Sequence, residues 1–250
     1  MLNRRTSRLF LVVLVLLTAT GCASEDLPSF GMPERGVTNQ APRILSLWQG
    51  AWIAAHAVGA IVRGLIIWSV IFHRRRRRDT GLPPQIRYNV PIEVLYTVVP
   101  LIAIAVFFFF TARDQDRILE ISANPDHQIT VTGVQWSWQF AYASDGGGKV
   151  TGTPGKPPTL VLPEGESVQF TLLSDDVIHS FWVPAFLFKL DVIPGQRNTF
   201  EVTPEKIGKY AGKCAELCGE NHARMLFNVE VVSPEDYDSY VSGLETEASR

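Results

Sequence analysis

Three patterns of apolar residues succeed one another along this chain. The first is short. The unbroken run Leu9–Leu17 follows Arg4, Arg5 and Arg8 and gives way to small residues, the layout of an export signal over residues 1–21. The second is long and aperiodic: Leu45–Phe72 and Val90–Thr111 are each long enough to cross a bilayer. The third is made of short runs that alternate or stay apolar between Pro and Gly turns: TLVLP (Thr159–Pro163), SVQFTLL (Ser167–Leu173), NTFEVT (Asn198–Thr203) and MLFNVEVV (Met225–Val232). That spacing predicts a small all-β sandwich. The fold class is therefore membrane-anchored α plus all-β, a two-helix transmembrane hairpin followed by a β-sandwich. A polar, Pro- and Gly-containing lead covers residues 22–44 and the hairpin 45–112, with a basic loop over 73–89. The sandwich domain occupies 113–250 and ends in a short amphipathic helix, Pro234–Leu244.

Charge orients this layout. The 250 residues carry a net charge of −2, which conceals a strong asymmetry. His73 and the consecutive arginines Arg74–Arg78 sit directly between the two spans, so the positive-inside rule makes that loop cytoplasmic. The mature N-terminus and the C-terminal domain then lie outside the membrane. From Arg113 onward there are 20 acidic side chains against 11 basic ones, a balance that favours a basic partner by electrostatic steering and no nucleic acid. His56 and Arg63 fall within the first span, where an arginine is costly unless paired; it is expected to face another subunit or reach for an interface.

The densest chemistry lies in Cys214–Met225, CAELCGENHARM, with the spacing Cys-x3-Cys-x3-His-x2-Met. Soft sulfur donors with imidazole select copper over the hard cations. A single Cys would suit a mononuclear centre, whereas two Cys with His and Met supply enough bridging sulfur for a binuclear one. A second imidazole is needed from outside the loop, and His179 in SDDVIHSFWVPAF is the candidate. A structural disulfide and a Cys/His zinc site are the competing readings. The remaining cysteine, Cys22, follows TG and precedes Ala, as the diacylated residue of a bacterial lipoprotein does after signal cleavage. Its lack of a pairing partner agrees. His73 and His127 fit no ligand pattern.

Taken together, CAELCGENHARM, DDVIHSFWVP, KLDVIPGQRN, GVQWSWQF and PIEVLYTVVP resemble the cytochrome c oxidase subunit II family of haem–copper respiratory oxidases, in the family's order from about Pro91 to Met225. The resemblance implies a cupredoxin-like sandwich with a binuclear copper (CuA) centre. Cys214 and Cys218 would bridge the coppers, His179 and His222 would each ligate one, and Met225 and the Glu216 carbonyl would be weak ligands. It implies magnesium on the Glu216 side chain at the subunit I interface, and Trp136 as an exposed electron-entry indole, with Trp138 in the core. Glu93 becomes the entrance to a proton-conducting channel, and Lys189–Pro194 a packing segment against subunit I. Implied partners are oxidase subunits I and III, membrane lipid, and a cytochrome c, soluble or tethered, with a supercomplex with the bc complex as one setting; it would dock near Trp136, Asp175 and Asp176. This chain departs from the family at Tyr96 and Ser137, where relatives often carry Trp and an aromatic. The rival relatives are a quinol oxidase subunit, which lacks the copper ligands, and a nitrous-oxide reductase domain, which lacks the hairpin. A copper-storage lipoprotein would have no use for Trp136 or Glu93.

Overall fold

The computed structural model describes residues 29–33, 36–75, 81–82, 85–142 and 148–248; the export signal, Cys22 and Arg76–Arg78 lie outside these residues. Two long helices come first, α1 (Ala41–Phe72) and α2 (Val90–Ile118), both apolar enough to cross a membrane. Each starts where a proline suits the first turn, at Pro42 and Pro91. At the start of α2 the Asn89 side chain accepts from Ile92 N, and the Glu93 carboxylate accepts from Asn89 N at 2.8 Å, a reciprocal cap. α2 runs about two turns beyond the predicted span, because Arg113, Asp114 and Arg117 continue the helix into the polar zone.

Ten strands follow: β1 (His127–Val134), β2 (Ser137–Tyr142), β3 (Lys149–Thr151), β4 (Thr159–Pro163), β5 (Val168–Ser174), β6 (His179–Val183), β7 (Phe188–Val192), β8 (Asn198–Val202), β9 (Gly208–Cys214) and β10 (Leu226–Val232). They form two five-stranded sheets, ordered β3-β2-β1-β5-β8 and β4-β10-β9-β6-β7. Alternation along β1 and β5 sends Ile129, Val131, Val168, Phe170 and Leu172 inward. Phe227, Val229 and Val231 of β10 meet them from the opposite sheet. Aromatic rings fill the gap: Phe170 stacks on Phe200 at 4.8 Å and Phe181 on Phe227 at 4.8 Å. Each such side chain removed from water contributes about 1.5–3 kcal/mol. Helix α3 (Pro234–Ala248) closes one end with Tyr237 and Val241 buried, and starts at Ser233, whose hydroxyl accepts from Asp236 N.

The lead of residues 22–44 needs revision at its C-terminal end. Val37, Thr38 and Ala41 are buried, and Thr38 bridges Pro204 at the end of β8. Val37 N donates to Ala185 O and Glu205 N donates to Val37 O, so this stretch is strapped to the sandwich. Its polar composition gave no sign of this, because backbone groups make the attachment. α1 correspondingly begins at Ala41 rather than Leu45.

Candidate metal centre

The six predicted donors reach one end of the sandwich through two adjacent strands and the loop between the last two. His179 opens β6 and Cys214 closes β9; the strands pair antiparallel with Phe181 opposite Cys214. The loop after Cys214 is closed at its base by Cys214 N donating to Met225 O, at 3.0 Å, which brings the first and last residues of the ligand segment together. Ala215 N donates to Ser180 O and ties the loop to β6. Gly219, at φ +120, takes a backbone conformation that side-chain-bearing residues rarely adopt, and a 3-10 turn over His222–Arg224 carries His222 back toward the thiols.

The resulting distances are short. Cys214 Sγ lies 3.9 Å from Cys218 Sγ, 3.9 Å from His179 Nδ1 and 3.2 Å from Glu216 O. Cys218 Sγ lies 3.6 Å from His222 Nδ1 and 3.7 Å from Met225 Sδ. His179, Cys214, Cys218 and Met225 are all buried. The sulfurs are far too distant for a disulfide, whose S–S bond is about 2.05 Å. They are nearer than twice a metal–thiolate bond of about 2.3 Å, so one ion can touch both. Two imidazoles, a thioether and a carbonyl around two thiols fit a binuclear copper site; the thioether, which is not among the usual zinc ligands, speaks against zinc.

Electrostatics prepare the thiols for a cation. Burial alone would push the Cys214 thiol up, but hydrogen bonds from His179, the Ser180 and Glu216 backbone and His222 bring it down to about 7. Burial, then the adjacent Cys214, push Cys218 up to about 12. One thiolate thus forms readily and the second only against its neighbour, so a metal that needs both must displace protons on binding. His179 is pulled down by burial and raised, on balance, by Cys214 and Asp176.

The surrounding residues hold this arrangement. His179 Nε2 donates to Asp176 Oδ1 at 2.8 Å, which leaves Nδ1 as the ligand atom. Asp176 Oδ2 accepts from Gln135 N at 2.6 Å, and Oδ1 also accepts from Val177 N. Gln135 Nε2 and Trp136 Nε1 both donate to Cys218 O, at 2.7 and 3.2 Å. The predicted entry residue Trp136 therefore touches the ligand loop directly. It is half-buried against the core rather than fully exposed. Trp138 is fully buried, edge-on to His179, and donates to Met225 O.

Asp175 and Asp176 are both exposed, and hydrogen bonds from within the domain engage both Asp176 oxygens. Sequence reasoning also passed over Gln135 and Gly133. A Cβ on Gly133 would stand 3.0 Å from the His179 ring, so the glycine makes room for the ligand. The glycine and glutamine that open GVQW were the available signal. Glu216 has its side chain at the exposed rim, and Glu93 is remote from the centre, on the first turn of α2. His127 contacts Glu166 and the Tyr237 ring, well away from the thiols.

A two-helix anchor carrying a β-sandwich with a Cys/His/Met centre at one end defines a membrane-bound, copper-binding electron-transfer protein with an extracytoplasmic domain. Residues 157–232 match the family described as cytochrome C oxidase subunit II, periplasmic domain. A Streptomyces avermitilis protein, "Probable cytochrome c oxidase subunit 2", is 52% identical over 92% of this chain and 84% of its own length. Cytochrome c oxidase subunit 2 of Mycobacterium bovis is 37% identical over 90% of this chain and 77% of its own. The crystal structure of the periplasmic domain of subunit II of cytochrome oxidase from Bradyrhizobium japonicum, 32% identical, superposes with a TM-score of 0.47 over 51% of this chain and 99% of that one. The chain belongs to the cytochrome c oxidase subunit II family.

Proposed function

We propose that this subunit accepts single electrons from a cytochrome c at the Cys214–Met225 centre and passes them to haem in subunit I, where oxygen is reduced and protons are pumped. The observation that carries the reading is the convergence of two imidazoles, a thioether and a carbonyl on two buried thiols 3.9 Å apart, with the Trp136 indole bonded to the same loop. Copper bound there supplies a one-electron couple whose charge is spread over both sulfurs. The two strands and the hydrogen-bonded loop fix the donors in place, which keeps their rearrangement on a change of charge small. Trp136 offers the donor a conjugated ring whose N–H ends on the Cys218 carbonyl. Asp176 holds His179 by one oxygen and the Gln135–Trp136 segment by the other.

Five finer assignments complete the proposal. Cytochrome c docks on the face that carries Trp136, Asp175 and Asp176. The Glu216 side chain, exposed at the rim, binds magnesium where the domain meets subunit I. Glu93, at the cytoplasmic end of α2, opens the proton path into subunit I, and subunit III completes the complex. Cys22 carries lipid after signal cleavage.

The test is electron paramagnetic resonance of the full-length subunit in its oxidase. One electron shared by two equivalent coppers gives a seven-line pattern, which Cys214→Ser or Cys218→Ser should abolish. A four-line pattern, or no copper, would overturn the proposal.

A further inference from the structure

Arg63 sits at mid-depth in the first membrane helix and, among the described residues, has no ion pair. The outer end of α1 is marked by Trp48 and Trp52, packed edge to face at 5.8 Å with Phe30 stacked on Trp52, the kind of aromatic group that settles at a membrane surface. The inner end is marked by Phe72, followed by His73 and the arginines. At 1.5 Å per residue, Arg63 lies about 14 Å from Phe72 and about 17 Å from Trp52 along the axis. Both distances are well beyond the length of an arginine side chain, so the guanidinium cannot snorkel to either surface.

Nor does either membrane helix supply a free counter-charge near it. α1 holds no acidic residue, and α2 holds none between Glu93 and Asp114. Asp114, at the outer end, is engaged by Arg43 and Arg113, at 3.3 and 2.8 Å. Glu93, at the inner end, caps its own helix. Among the described residues Arg63 has no ion pair, and the surface around it is exposed.

The local shape is that of a receptor. The guanidinium folds back over Gly59, where an added Cβ would stand 3.6 Å from Nη1 and 3.8 Å from Nη2. One turn further, His56 Nδ1 donates to Trp52 O at 2.8 Å, leaving Nε2 as an acceptor on the same face. A cation, a glycine notch and an imidazole acceptor thus follow one another along a single side of an otherwise apolar helix.

We propose that this face of α1 is a protein interface, and that its occupant is a transmembrane helix of another oxidase subunit bearing a mid-membrane Asp or Glu that pairs with Arg63. Charge complementarity identifies the partner: an unpaired arginine at this depth is costly, and a carboxylate on a neighbouring helix relieves it. Depth favours protein over lipid, because anionic headgroups lie at the boundaries of a hydrocarbon layer about 30 Å thick. The partner's being an oxidase subunit rests on the function proposed above.

A photo-crosslinking residue placed in the full chain at Ile67, one turn beyond Arg63 on the same face, or at Leu65, on the opposite face, tests this in native membranes. The expected result is an adduct with an integral membrane protein of the oxidase from Ile67 and not from Leu65. Arg63→Leu should abolish that adduct, and Arg63→Lys should retain part of it. Adducts from Ile67 with phospholipid alone, equal protein adducts from both positions, or an adduct indifferent to Arg63→Leu would each overturn the proposal. The copper resonance recorded on the same membranes reads the electron-relay function separately: its absence would defeat that function while leaving the crosslinks interpretable.

Discussion

At the scale of single residues, the centre depends on side chains that never touch the metal. Asp176 is the clearest case. It accepts from His179 and from the backbone of the residue before Trp136, so one carboxylate sets the positions of the imidazole and of the Trp136 indole. Although burial would raise it, hydrogen bonds from His179, Gln135 and Val177 hold its carboxyl below the ordinary range. Asp176→Asn keeps the size but replaces one acceptor by a donor facing other donors. The expected outcome is a changed copper hyperfine pattern together with slower electron entry. Asp175→Asn, at an exposed position, should leave the spectrum as it was and alter only the kinetics with the donor. Identical spectra for the two variants would deny Asp176 its positioning role.

At the scale of elements, the close approach of β9 to β10 is tightly specified. A Cβ on Gly212 would lie 2.1 Å from the buried Phe227 ring. Gly212→Ala should therefore destabilise the domain by about 1–3 kcal/mol, as overpacking does, read as a lower denaturant midpoint. A second constraint joins β1 to β5 at their starts: Asp126 accepts from Ser167 N and Oγ, and these bonds, the backbone one foremost, lower its pKa. The sign follows. A depressed carboxylate stabilises the fold above its unfolded pKa of about 3.9, and that contribution fades as pH falls through the lower folded value. Wild type and Asp126→Asn should differ in unfolding midpoint at neutral pH and converge in strong acid.

These elements also show which parts of the chain could be read in advance. β4, β5, β8 and β10 stood out because each is an apolar or alternating run between turn residues. β9, GKYAGKC, did not: its glycines and lysines hide the pattern, and it is a strand because β6 and β10 flank it on both sides. β6 begins on a histidine whose burial follows from its contacts with Asp176, Cys214 and Trp138, which no local pattern contains. The ligands were legible because four of them share twelve residues. Gln135 and Gly133 were not, since their importance arises only when β1 is laid beside the end of β6.

At the scale of the whole molecule, charge is segregated along the membrane normal. From Arg113 onward the chain holds 20 acidic and 11 basic side chains, whereas five consecutive arginines, Arg74–Arg78, fall in sequence between the two helices. An acidic body recruits a basic donor through long-range attraction that salt screens over about 8–10 Å. The second-order rate of reduction by a basic cytochrome c should fall steadily as ionic strength rises, whereas electron transfer after docking should not change. A rate independent of salt would mean that contact chemistry, rather than the field, selects the donor.

The two passages of chain between membrane and sandwich meet the same strand. On the way in, Asn39 and Thr203 exchange hydrogen bonds at the end of β8; on the way out, Ser122 N and Oγ both donate to Glu201 Oε2 on β8, two residues earlier. Arg43 of α1 and Asp114 of α2 clasp just below. A body hung from one tether swings, and its redox centre samples a range of distances. One bolted at two points has a single lever arm and a single tilt. The onward hop then has one tunnelling length, so its decay follows one exponential whatever the viscosity of the surrounding water, and catalysis owes nothing to a search by the domain for its target.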